Sequence, residues 1–333
     1  MTTLLITSDR PGVGKTATAA AIVSEVLDGG GKAAYLKLFP TRADPDVSYL
    51  HEHVLGGEEA SAPAQSPGSS SSGDMGLEDT LVLAQQLSAG GHVVVLEGPA
   101  LIPDEGNPAA RVEEIVRKLD CRVLYVKGYS NAEPSRSGQP GGVAFGKHLA
   151  GVILNMVPPY RLSQLSGDIG TEGLLGAIPS DRTMASVTVG EVAQGLNGTW
   201  VVGEEKASAL IENFLIGGNI MDGGETYFGR HENKGVLVRG DRPDIHLACL
   251  NTETACLLLT GGFTPNQYVH HEAEQQDVPL LVMEKDTIAC AELLDELLLV
   301  PPVHHPDKTH RFRELLRSHV DLGFLSELLE GIA

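Results

Sequence analysis

At 333 residues, 42% of them apolar, the chain exceeds one ordinary core and reads as two globular domains. Its 44 acidic side chains against 24 basic ones leave a formal charge of -20, which argues against nucleic-acid or anionic-lipid partners; any bound phosphate must be held by local amides and one or two cations. No charged-then-apolar leader and no apolar run near ~20 residues is present, so a cytosolic setting is expected.

In chain order, six short apolar runs alternate with helical stretches: residues 3–8, 33–39, 92–98, 122–128, 151–157 and 174–179. That alternation predicts an α/β fold, a parallel sheet with helices on both faces. Residues 61–74, "SAPAQSPGSSSSGD", and the loop at 131–142 are too polar and too rich in Gly, Pro and Ser to bury a core, and read as loose insertions. A boundary is placed near residue 183, giving a first domain over 1–182 and a smaller α/β domain over 183–300. There "GVLVRGDR", "ACLLLTGG" and "PLLVMEKDT" each run from an apolar stretch into a polar turn, with helices expected at 266–276 and 287–298. After Pro301 and Pro302 a helical tail, 301–333, is expected to pack on one of the domains or on a second subunit.

Four dispersed cysteines without a Cys-x-x-Cys pair speak against zinc or a disulfide framework. The histidine clusters, among them His304 and His305, do not read as a metal site, because neighbours on one element face apart.

The first run opens into "SDRPGVGKT", residues 8–16. Gly14, Lys15 and Thr16 match the end of a G-x-x-x-x-G-K-[ST] phosphate loop, but Asp9 stands where its first glycine belongs. The physics survives that loss. Amides of Arg10, Gly12, Val13, Gly14 and Ala17 at the opening of a helix face an anion, Lys15 reaches terminal phosphates and the Thr16 hydroxyl can ligate magnesium. The competing reading is a tight strand-to-helix turn with an incidental Lys-Thr.

"RPGVGKT" resembles the deviant phosphate loop of the dethiobiotin synthetase and cobyrinic acid a,c-diamide synthase group, and "AYLKLFP", "VVVLEGP" and "GVILN" resemble that group's later strands. The resemblance implies ATP and Mg as cofactors, with Lys37 extending toward the phosphates, Glu97 acting on magnesium and Asn155 contacting the base. Read as residues alone, Lys37 can equally be a solvent-facing strand end and Glu97 a helix cap. Asp46, with Asp44, either assists the metal or only makes a turn. The Asn-Lys-x-Asp pattern that favours guanine is lacking, so adenine is expected.

Residues 183–300 resemble the DRTGG domain of the longer phosphate acetyltransferases, and the two halves together resemble the regulatory amino-terminal part of such enzymes. Asp241, Arg242, Thr260, Gly261 and Gly262 end predicted strands, where they either bind a small anion or nucleotide or merely close turns.

Two functions fit. One is an ATP- and Mg-binding regulatory or scaffolding protein, expected to form a homo-oligomer and able to partner a separate acyl- or acetyltransferase chain. The other is an ATP-dependent synthetase in which Lys15, Lys37 and Glu97 would serve phosphoryl transfer. Against the second, Leu38, Phe39 and Pro40, followed by Thr41 and Arg42, replace the small-residue turn expected after Lys37, and Pro99, Ala100, Leu101 and Ile102 replace a glycine-rich one after Gly98. Acetyl transfer by these residues alone is not expected.

Overall fold

The computed structural model describes residues 2–41, 43–56, 77–102, 108–131, 145–165, 173–217 and 224–325. The expected insertion at 61–74, Arg42 and nearly all of the 131–142 loop lie outside them. Two units form: Met1–Asp181 together with Val303–Ala333, and Arg182–Pro302.

The first unit holds strands β1 (Thr3–Ser8), β2 (Lys32–Lys37), β3 (His92–Ala100), β4 (Arg122–Gly128), β5 (Leu149–Val157) and β6 (Leu174–Pro179). All six are parallel, in the order β2-β3-β1-β4-β5-β6. Buried on both faces, the strands read as continuous apolar runs rather than alternating ones, which is why their positions are legible from composition. Between them come α1 (Lys15–Asp28), α2 (Pro45–Tyr49), α3 (Leu77–Ala89), α4 (Pro108–Leu119) and α5 (Leu162–Leu165). Leu81 and Leu87 of α3 and Val112 and Ile115 of α4 pack on the sheet face that carries Leu5, Leu96 and Tyr125. Helix α1 buries Ala17, Ala19, Ala20, Ala21, Ile22 and Val23; its run of alanines lets it lie close to its neighbours.

The second unit holds α6 (Arg182–Ala185), α7 (Val189–Gly195), α8 (Glu225–Phe228), α9 (Pro243–Leu250), α10 (Gln267–Gln275) and α11 (Thr287–Leu299). Its strands are β7 (Val187–Thr188), β8 (Thr199–Val202), β9 (Leu210–Ile211), β10 (Asn213–Gly217), β11 (Lys234–Arg239), β12 (Thr254–Thr260) and β13 (Leu280–Met283). The main sheet runs β10-β11-β12-β13-β8, with only β8 antiparallel. Helices α7 and α11 cover one face, and α8, α9 and α10 the other. The expected strands and the helices at 266–276 and 287–298 are present, whereas β10 and α9 were not anticipated. Edge strand β10 is half-exposed, and α9 is too short and too uniformly apolar to show a helical period.

The tail returns to the first unit as α12 (Pro306–His319). It lies along α1, where Arg313 meets Glu25 and Asp28, and Arg317 reaches Glu25 at 2.7 Å. Arg311 pairs with Asp181 at 2.9 Å. Beyond it, Asp321 donates its amide to Leu175 at 2.9 Å and Val320 bridges Gly176, so the chain covers the open edge of β6.

Candidate functional site

Strand order reverses around β1, whose carboxyl end faces outward between β3 and β4, the place where open α/β sheets bind ligands. Residues 9–14 leave β1 there, and α1 starts at Lys15, directly after Gly14. Gly14 has a φ of 94°, and a Cβ on it would come within 2.5 Å of the Asn155 side-chain nitrogen, so only glycine fits at this turn. Asn155, buried in β5, donates from Nδ2 to the Val13 carbonyl at 2.8 Å and accepts the Met156 amide through Oδ1. Its carboxamide therefore holds the loop.

Asp9 does not seal the loop. Its carboxylate accepts the Gly128 amide at 3.2 Å and the Arg10 guanidinium at 2.7 Å, while Arg10 also donates to the Tyr129 carbonyl at 3.1 Å. Both side chains are drawn over the end of β4, and Gly128 leaves the space they need: a Cβ there would sit 2.3 Å from an Arg10 nitrogen. Lys15 instead donates to the Ser8 hydroxyl at 3.2 Å, and that hydroxyl donates to the Arg10 carbonyl. Burial lowers the Lys15 pKa, and the nearby Glu97 carboxylate partly offsets the fall.

Glu97 is buried in β3, paired in register with Ile6 of β1 and Lys37 of β2. The Thr16 hydroxyl donates to its Oε1 at 3.1 Å and the Tyr35 hydroxyl to its Oε2 at 2.8 Å. It caps no helix. Burial raises the Glu97 pKa, with Asp46 adding to the rise and Lys37 opposing it; burial beside Glu97 also raises the Tyr35 pKa well above its usual value.

Lys37 points into this edge rather than into solvent. Its ammonium meets Asp44 at 3.0 Å and also Asp46. Burial alone would lower its pKa, but the bonds to Asp46 and the fields of Glu97 and Asp46 outweigh it, so the value is raised. Asp44 also caps α2, accepting the Asp46 amide at 3.1 Å and the Thr41 amide at 3.1 Å, which is turn chemistry. Asp46 gives its second oxygen to His304 Nε2 at 2.7 Å. Burial would raise its pKa, yet His304 and Lys37 hold it down at about 2.

Thr16 and Glu97 thus stand together, while Asp46 sits on Lys37. Tyr35, Ser8 and His304 escaped the sequence reading. Tyr35 carries one usable signal, since it lies two residues before Lys37 on a strand and so shares its face. His304 carries none, being 258 residues from its partner.

Among the described residues no group of three His, Cys, Asp or Glu is placed to hold a metal. The oxygens of Thr16 and Glu97 fit a hard cation that keeps water and takes its remaining ligands from a phosphate, as magnesium does.

In the second unit, Arg242 pairs with Asp244 at 2.9 and 2.7 Å and Asp241 with Arg239. Thr260 bonds Thr287 at 2.7 Å, and the amides of Gly261 and Gly262 donate to the carbonyls of Lys285 and Met283. All five residues named from the sequence thereby make internal bonds, Asp241 and Arg242 locally and Thr260, Gly261 and Gly262 across to the end of β13 and the residues after it. Asp286 caps α11 by accepting the Ala289 amide at 2.9 Å.

Residues 191–297 match the model of the DRTGG domain. The whole chain aligns with the phosphate acetyltransferase of Acinetobacter baylyi at 23% identity over 390 aligned positions, and spans about half of that relative, 53% of its length. This agrees with the resemblance to the regulatory part of such enzymes. Among solved structures, the CBS and DRTGG domains of the regulatory region of Clostridium perfringens pyrophosphatase, complexed with the activator diadenosine tetraphosphate, match at 13% identity and a TM-score of 0.30, over 42% of this chain and 69% of that one. The signal recognition particle receptor FtsY of Elizabethkingia anophelis, in complex with GDP, matches at 17% and 0.34, over 46% and 48%.

Proposed function

We propose that the first unit binds ATP with magnesium and that the chain acts as a regulatory or scaffolding module, like the non-catalytic part of a phosphate acetyltransferase. One observation carries this reading: Lys15, Thr16 and Glu97 converge at the amino end of a fourteen-residue helix opened by a left-handed glycine. Helix amides and the Lys15 ammonium would hold the phosphates, and the Thr16 hydroxyl with the Glu97 carboxylate would hold magnesium. Bound there, the metal would supply charge neutralisation for the triphosphate. A homo-oligomer, a separate acyl- or acetyltransferase partner and a cytosolic setting belong to the same proposal; the last suits four buried free thiols.

Regulation is favoured over synthesis because the residues that follow Lys37, where a synthetase of the resembling group would have a small-residue turn beside its substrate, are bulky. Leu38 is buried, and the Phe39 ring lies under the Arg111 guanidinium. Calorimetric titration with Mg-ATP tests binding, and Lys15→Ala is expected to abolish it because it removes the loop's ammonium. Release of ADP is followed in parallel, with and without a diamine plus bicarbonate. Substrate-stimulated release would overturn the regulatory reading in favour of a synthetase. Failure of Mg-ATP to bind at millimolar concentration would overturn nucleotide binding itself.

A further inference from the structure

The Lys37 cluster is charged against the very group it would serve. One ammonium faces two carboxylates, Asp44 and Asp46, with Glu97 next to it in register on β3. A terminal phosphate approaching Lys37 therefore meets an excess of negative charge that falls if one carboxylate withdraws. Asp44 is not free to do so. It is buried, and its oxygens also hold the Thr41 amide and hydroxyl and the Asp46 amide, which shape the start of α2.

Asp46 is different. Its two oxygens divide between Lys37 and His304, the latter at 2.7 Å, and because an ionised carboxylate only accepts, His304 Nε2 carries the proton of that bond. His304 is held in place independently of Asp46. Its ring lies 5.5 Å from that of Tyr49, and the Tyr49 hydroxyl bonds Thr309 in α12 at 2.7 Å. Phe312 of the same helix is buried within reach of Gly14. The carboxyl-terminal segment thus forms one wall of the phosphate edge.

We infer that His304 is a positioning residue that selects for a third phosphate: it keeps Asp46 as Lys37 turns to the terminal phosphate of a nucleoside triphosphate. This rests on the nucleotide-binding reading above. A diphosphate, cradled by the loop and Lys15 alone, does not require Lys37 to change partners. His304 therefore governs discrimination between the two nucleotides rather than affinity for both.

The test measures Mg-ATP and Mg-ADP dissociation constants by calorimetry for the full chain and for His304→Ala, His304→Gln, Asp46→Asn and the double variant His304→Ala with Asp46→Asn. Losing a hydrogen bond to a charged group is expected to weaken Mg-ATP about tenfold in His304→Ala while Mg-ADP changes less than about twofold. His304→Gln, which keeps a donor, is expected to restore most of the loss. In the Asp46→Asn background, His304→Ala should add nothing, since no charge remains to withdraw. Equal weakening of both nucleotides would reduce His304 to a structural role and overturn the proposal, as would unchanged Mg-ATP affinity in His304→Ala or failure of glutamine to rescue it. If the unsubstituted chain bound neither nucleotide, the parent reading would fall with it; if it bound both and the variants did not discriminate, only this inference would fall.

Discussion

The Asn155 side chain donates to the Val13 carbonyl at 2.8 Å, so β5 helps to shape a loop that leaves β1. That bond places an amide nitrogen where any side chain at position 14 would have to go. Gly14→Ala is therefore expected to cost about 2 kcal/mol in urea unfolding, from left-handed backbone strain, with further loss from the clash. It should also abolish Mg-ATP binding.

The buried Glu97 carboxyl accepts from two hydroxyl donors, Thr16 and Tyr35, the latter at 2.8 Å. Tyr35→Phe removes that donor without opening a cavity and is expected to destabilise the chain by about 1–3 kcal/mol, the cost of leaving a buried acceptor short of a partner. Titration of magnesium into the ATP complex should then show weaker coupling between metal and nucleotide, whereas metal-free ATP binding should change little. Equal effects with and without magnesium would contradict this role for Glu97.

The Asp46 carboxyl, held at about 2 against an ordinary 3.8, makes a prediction with a definite sign. A depressed carboxylate pKa means that the unfolded chain binds the proton more tightly. Its stabilising contribution is therefore complete above the ordinary value and disappears as the pH falls from about 4 toward 2. Glu97, with a raised pKa, works the other way: stability is lost as the pH rises from its ordinary value of 4.5 through the raised one. Asp46→Asn should flatten the acid limb of a denaturation-midpoint curve, and Glu97→Gln the limb above it.

Helix α12 is held to α1 by Arg313 against Glu25 and Asp28 and by Arg317 against Glu25. Arg313 is largely shielded from water and Glu25 equally so, which makes this contact less open to screening than an ordinary surface pair. Arg313→Ala is expected to cost about 1–3 kcal/mol. Hydrogen exchange should register the change first in α12. If protection of α12 survives the substitution, its docking rests on Phe312, Leu315 and Leu316 instead.

Cys121 and Cys249 have thiols pushed up to about 12 by burial, and burial raises those of Cys256 and Cys290 as well. A thiolate-selective reagent should therefore label none of them quickly in the folded chain at pH 8, and all four on addition of denaturant. Rapid native labelling of one thiol would show that its unit opens locally.

Much of this was legible in the linear chain. Six parallel strands buried on both faces must be written as apolar runs, and a phosphate loop must place glycine, lysine and threonine together where strand turns to helix, so Lys15 and Thr16 stand out without a structure. Strand register then carried Lys37 and Glu97 to the same edge, because both end apolar runs of parallel neighbours. Local hydrogen-bonding rules dictate these features, and local rules survive in sequence. What only the tertiary structure decided were the long-range partners: Asn155 on the loop, Asp9 turned toward Gly128, and His304 on Asp46. Such contacts depend on how helices and strands pack across the core, and no periodicity in a single chain records which buried charge will meet which donor.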